Sequence, residues 1–249
     1  MKLLIAKDYE DMSKKAAQII IDQVKQKPGS VLGLATGGTV IGTYKMLVDD
    51  HKRHRTSYKQ VRTVNLDEYV GLHPSNKNSY HYFMKTHFFD HVDLPANQTF
   101  IPNGLADQVE EECKQYEQLI AQLGGIDLQL LGIGRNGHIG FNEPGNPFSS
   151  KTHCVTLTES TRLANARFFK SVDEVPTHAI TMGISTIMKS KKILLLASGT
   201  KKAIILSRFF NEEVNEQNPA TILKTHKHVT IIADEQALSL MNLSHLHFA

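Results

Sequence analysis

Short apolar runs of strand length alternate with stretches of helical periodicity along almost the whole chain, and this alternation restricts the fold more than any other feature. The runs are Leu3–Ala6, Val31–Ala35, Val61–Val64, Ile126–Leu131, Ile193–Ala197 and Val229–Ile232. Between most of them, Tyr9–Gln26, Val40–His54, Ala106–Leu123 and Lys201–Phe210 repeat apolar residues at helical spacing. Parallel strands must be joined by a crossover, ordinarily a helix, so the pattern predicts an α/β fold: a mostly parallel, Rossmann-like sheet with helices on both faces. No linker, repeat or shift in composition divides the 249 residues, which are read as one domain, 1–249. At that length the core needs neither a metal nor a disulfide to hold it. The least regular stretch, 142–171, contains Pro144 and Pro147 and then a short helix expected over Thr161–Phe169. Excursions of this kind in α/β domains serve as binding loops, so it is expected to form a lid-like segment.

Several classes of function are excluded at this level. Lysine and arginine (28) outnumber aspartate and glutamate (25) by three. The one basic concentration, His51–Arg55, is read as a solvated helix end rather than a nucleic-acid footprint. No apolar window reaches membrane-spanning length, and the apolar run at the N-terminus is too short for a secretory leader. Cys113 and Cys154 form no C-x-x-C pair and read as reduced structural thiols, so a cytoplasmic protein is expected. No metal-ligand cluster stands out. The pairs His226/His228 and His245/His247 lie among polar residues and are read as exposed.

In open parallel sheets, ligands bind beyond the carboxyl ends of the strands, so the residues following each run are the informative ones. Thr36-Gly37-Gly38-Thr39 follows the second run and opens a helix. It is either an anion cradle of backbone amides or an ordinary turn capped by Thr39. Asp67 and Glu68 follow the third run, and a carboxylate there is either a general base for a carbon acid or a turn cap. Gly132–Gly137 follows the fourth run and matches Gly-x-Gly-x-x-Gly, but Gly140, Pro144, Gly145 and Pro147 forbid the helix that a dinucleotide fingerprint requires. What remains in that loop is His138 near Glu143, a histidine base with a carboxylate to orient it. Ser198–Ala203 follows the fifth run. Lys201 is read as solvated, while Lys202 is placed to meet a phosphate on the helix's first turn. Taken together, the four loops describe a sugar-phosphate site, and the absence of a cysteine cluster or histidine-rich ligand motif argues against a catalytic metal.

At these residues the sequence closely resembles the glucosamine-6-phosphate deaminase family. The matching segments are Leu32–Thr39, Asn65–Leu72, Gly132–Pro144, Thr161–Phe169 and Ser198–Ala203, in the family's order over nearly the whole chain. The resemblance implies that Asp67 moves the proton from C2 to C1 of the aminosugar after His138 assists ring opening, with Glu143 pairing with His138. It further implies that Thr36, Gly37, Gly38 and Thr39, with Lys202 and with Arg167 from the lid, hold the phosphate. No cofactor is implied. Many relatives carry aspartate where this chain has Asn136, and an asparagine there is expected to orient His138 by a hydrogen bond. The chain looks like the shorter branch of the family, often monomeric and not allosterically regulated. Two other readings stay open: a 6-phosphogluconolactonase, which shares a related fold and a Gly-His loop, and a sugar-phosphate sensor without turnover. The Leu66-Asp67-Glu68-Tyr69 loop argues against the first, and the joint presence of Asp67 and His138 argues against the second.

Overall fold

The computed structural model describes residues 1–166, 169 and 171–241. Its elements run β1 (Lys2–Ala6), α1 (Tyr9–Gln26), β2 (Val31–Leu34), α2 (Gly38–His54), β3 (Arg62–Asn65), β4 (Asp67–Tyr69), α3 (Tyr80–His87), β5 (Thr99–Phe100) and α4 (Val109–Gln122). They continue through β6 (Leu128–Gly132), β7 (His153–Thr156), α5 (Glu159–Asn165), β8 (His178–Thr181), α6 (Ile184–Met188), β9 (Ile193–Ala197), α7 (Ala203–Asn211) and β10 (Val229–Asp234). Seven strands form one sheet in the order β1-β10-β9-β6-β2-β3-β5, and all its pairings are parallel. The alternating pattern is therefore realised as the expected α/β sheet. With right-handed crossovers, α1, α2 and α3 cover one face, and α4, α6 and α7, on connections running back the other way, cover the opposite one.

The helices and strands follow from local chemistry. Asp8 caps α1 by accepting from Asp11 N at 2.9 Å. Met12, Ala16, Ile20 and Val24, four residues apart, bury its inner stripe. β9 is buried along its whole length, as a strand covered on both faces should be. The basic end of α2 is a helix terminus, with His51, Lys52, Arg53 and His54 in its last turn. Those cations lie where the helix dipole favours positive charge. At the amino-terminal edge of the sheet, the buried Asp127 carboxylate receives Lys27 Nζ at 2.7 Å, Lys191 Nζ at 2.8 Å and Val31 N at 2.9 Å. Burial opposes its ionisation, but the two ammonium groups hold its carboxyl below the usual range.

Three features differ from the sequence expectation. A second, three-stranded antiparallel sheet, β4-β8-β7, stands beside the main one. Its strands are three or four residues long and lack a distinguishing apolar run. The helix expected over Thr161–Phe169 starts earlier, at Glu159, because Thr158 accepts from Thr161 N and caps it. The last crossover begins with a 3-10 turn, Thr200–Lys202, before α7. Among the described residues, no helix is long and apolar enough to cross a membrane. His226 is half-buried rather than exposed, since its Nε2 bonds Ser190 O at 2.8 Å, while His228 is exposed.

Candidate active site

The four loops singled out from the sequence follow β2, β3, β6 and β9, which are neighbours in the order β9-β6-β2-β3. Because these strands are parallel, their carboxyl ends open onto one edge. The chain leaves β2 and β6 in opposite directions across the sheet, which makes their junction the crevice where open α/β sheets bind ligands.

Asp67 sits where the chain leaves the main sheet. Leu66 N still bonds Leu34 O at 3.0 Å, and Met182 N bonds Leu66 O at 2.7 Å. Asp67 then pairs with Thr181 in the small sheet. The residue is 7% exposed, and among the described residues none donates a hydrogen bond to its carboxylate. Burial, and secondarily the Glu68 carboxylate, push its carboxyl up to about 8. A turn cap would accept a backbone N–H, so that alternative does not describe this side chain. Glu68 behaves differently: it accepts from Tyr69 N, Tyr80 N, His81 N and the His81 ring, and faces α3.

The β6 loop carries His138 without forming a helix, so the dinucleotide reading fails on geometry as well. Gly134 N bonds His138 O at 2.8 Å, folding the loop back so that the imidazole lies over Gly134. A Cβ on Gly134 would lie 2.3–2.4 Å from three ring atoms, so only glycine leaves room for this placement. His138 Nδ1 is 3.6 Å from Glu143 Oε2, an ion-pair separation. Burial opposes the ionisation of Glu143, but the adjacent imidazole and hydrogen bonds from Thr161 and Asn136 hold its carboxyl at about 2. Asn136 was expected to orient His138. Instead its Nδ2 donates to Glu143 Oε2 at 2.6 Å, and only its Oδ1 meets His138, at the backbone N–H, 3.3 Å away. Asn136 thus holds Glu143, and Glu143 faces the ring. Farther along, Phe141 N bonds Thr181 Oγ1 at 3.0 Å, and a Cβ on Gly140 would lie 3.7 Å from Asp67 Oδ2. These contacts bring the histidine loop over the Asp67 carboxylate.

The anion-binding candidates flank that loop on both sides. Gly37, not Thr39, is the N-cap of α2, with φ 98° and ψ 172° and no side-chain cap. Gly199 repeats that conformation before the Thr200–Lys202 turn, with φ 84° and ψ 159°. Both positions require glycine, and both leave first-turn amides uncapped by a side chain. Lys202 Nζ donates to Ile133 O at 2.5 Å, tying the β9 loop to the β6 loop, whereas Lys201 is exposed as expected. Arg167 lies outside the described residues.

Sequence reasoning missed the supports of these loops. Asp234, 2% exposed, accepts from Gly199 N, Ser198 Oγ and Ala237 N, and so fixes the β9 loop. Its position two residues after the last apolar run was the available signal. Tyr9 Oη accepts from Gly42 N at 2.8 Å and donates to Gly38 O at 2.9 Å, bracing the first turn of α2. Tyr80 lies against Thr36 and Tyr69 within an aromatic group completed by Phe141 and Phe169. Nothing local in the sequence indicated that group.

Comparison with known proteins agrees over nearly the full length. Residues 7–232 match the family described as glucosamine-6-phosphate isomerases/6-phosphogluconolactonase. A protein of Geobacillus sp. (strain WCH70) called glucosamine-6-phosphate deaminase is 65% identical over 241 residues, 97% of this chain and 96% of that one. A solved structure of a monomeric glucosamine-6-phosphate deaminase is 52% identical, with a TM-score of 0.95 over 96% of this chain and 100% of its own. The 6-phosphogluconolactonase of Trypanosoma cruzi is 17% identical, with a TM-score of 0.79 over 97% of each chain, a likeness of fold alone.

Proposed function

The chain belongs to the glucosamine-6-phosphate isomerase/6-phosphogluconolactonase family, and we propose that its site converts glucosamine 6-phosphate and water to fructose 6-phosphate and ammonia by the steps below. Its relatives at 54–65% identity across nearly the whole chain are deaminases, and it is an enzyme of that activity. The observation that carries the mechanism is the buried Asp67 carboxylate, without a hydrogen-bond donor among the described residues, beneath a loop holding a His138–Glu143 pair.

The substrate phosphate lies at the amides of Thr36, Gly37, Gly38 and Thr39, with Lys202 exchanging Ile133 O for a phosphate oxygen and with the Arg167 guanidinium as the further cation that the family resemblance implies. Anchoring the phosphate fixes the sugar, so that remote binding energy supports chemistry at C1 and C2. Neutral His138 takes the anomeric hydroxyl proton and returns it to the ring oxygen as the C1–O5 bond breaks and the ring opens. Glu143, held ionised, stabilises the imidazolium that forms, and Asn136 and Thr161 hold Glu143. Asp67 then removes the C2 proton and returns it to C1 through an enolamine. A carboxylate held near 8 is a stronger base than an ordinary one, which suits it to a carbon acid. Water hydrolyses the resulting C2 imine and ammonia leaves.

In this reading the chain works as a monomer, as its 52%-identical solved relative does. The test is incubation with glucosamine 6-phosphate, following ammonia and fructose 6-phosphate together. Equal appearance of both is expected. Binding without product would favour the sensor, and hydrolysis of 6-phosphogluconolactone in place of deamination would favour the lactonase.

A further inference from the structure

Glu68 is the second carboxylate at the end of β3, and no step of the reaction uses it. Its side chain is 1% exposed yet carries four hydrogen bonds. One comes from Tyr69 N at 2.8 Å, and the other three cross to the first turn of α3: Tyr80 N at 3.0 Å, His81 N at 3.0 Å and His81 Nδ1 at 2.8 Å. β4 is only three residues long and pairs with β8 alone. On its other flank the backbone is wedged, since a Cβ on Gly104 would lie 2.0 Å from Tyr69 O. Consecutive side chains on a strand point to opposite faces, so whatever fixes Glu68 on α3 also fixes the direction of Asp67.

We propose that Glu68 and His81 are positioning residues for Asp67: a carboxylate–imidazole clamp ties β4 to α3, aims the Asp67 carboxylate into the site and keeps a negative charge beside it. The inference rests on the reading of Asp67 as the base. Among the described residues, the titratable groups that interact with Asp67 are Glu68 and Tyr69 on its own strand, Tyr44 of α2, Tyr80 of α3 and Tyr116 of α4. Burial raises all four phenols, which stay neutral, so Glu68 supplies the one charge of that set. Glu68 in turn faces His81 and Tyr69.

The test combines steady-state kinetics, the pH profile and exchange of the C2 hydrogen with solvent for Glu68→Gln, His81→Ala, His81→Gln and Asp67→Asn. For Glu68→Gln we expect kcat to fall about tenfold or more with KM within about twofold, the mark of an interaction that acts in the transition state. We also expect the acid limb of kcat/KM to move to lower pH by on the order of one unit, because a like charge beside the base has gone. His81→Ala should lower kcat, and His81→Gln, which keeps a donor for Glu68, should restore most of it. An acid limb of Glu68→Gln that coincides with the wild type, or a raised KM in place of a lowered kcat, overturns the clamp. Should Glu68→Gln fail to fold, wild-type kcat in His81→Ala overturns it equally. C2 exchange persisting in Asp67→Asn would refute the base itself, while its loss there with unaltered Glu68 and His81 variants would refute the clamp alone.

Discussion

Replacing Gly134 with alanine tests the seat of His138 with almost no other disturbance. Gly134 is not among the glycines held at positive φ, so its backbone accepts an alanine. The added Cβ would lie 2.3 Å from His138 Cε1 and 2.4 Å from both ring nitrogens, where ordinary contact begins near 3.4 Å. The imidazole must therefore retreat by roughly 1 Å, away from the place where Glu143 faces it, and a misplacement of that size typically costs about 100-fold in rate. This corresponds to about 2.7 kcal/mol of transition-state stabilisation. We expect kcat/KM for deamination of glucosamine 6-phosphate to fall by about that factor. Competitive inhibition by fructose 6-phosphate, which reports the phosphate grip, should change little. Overpacking costs about 1–3 kcal/mol of stability, so a melting curve would confirm that the variant remains folded at the assay temperature. A folded variant with kcat/KM within about threefold of the wild type would show that ring opening does not need His138 in this position.

Two further outcomes follow from the same geometry. The Asp67 carboxyl is raised from 3.8 to about 8 in the folded chain, so its proton is bound more tightly folded than unfolded. Its contribution to stability is then fully present below the lower value and is lost as pH rises to the higher one. Asp67→Asn should accordingly be more stable than the wild type, by a margin that grows between those pH values and levels off above them. Denaturant melts across that range check it, and a constant margin would contradict the raised value. Lys202→Ala removes a charge-assisted hydrogen bond worth about 1.5–3 kcal/mol, so KM should rise roughly 10- to 150-fold with kcat far less affected. An unchanged KM would place Lys202 outside the phosphate site.

The sequence alone determined most strands of the main sheet, its longest helices and the chemistry each loop could offer. Apolar periodicity is a local property, and it placed α1 at Tyr9–Gln26 and β9 at Ile193–Ala197 with the bounds observed. Composition after each run likewise marked Gly37, Asp67, His138 and Lys202 before any fold was known. What periodicity cannot encode is which strand lies beside which, because parallel pairing joins residues far apart in the chain. Tertiary structure decided that β9, β6, β2 and β3 are neighbours, and hence that the four loops share one edge. It also separated the two adjacent carboxylates, leaving Asp67 without a donor among the described residues and committing Glu68 to α3, a distinction that depends on Tyr80 and His81 a dozen residues away. Asn136 was redirected from His138 to Glu143 for the same reason. A side chain's partner depends on where a loop closes, and this loop closes on a hydrogen bond between Gly134 and His138 that no residue type announces.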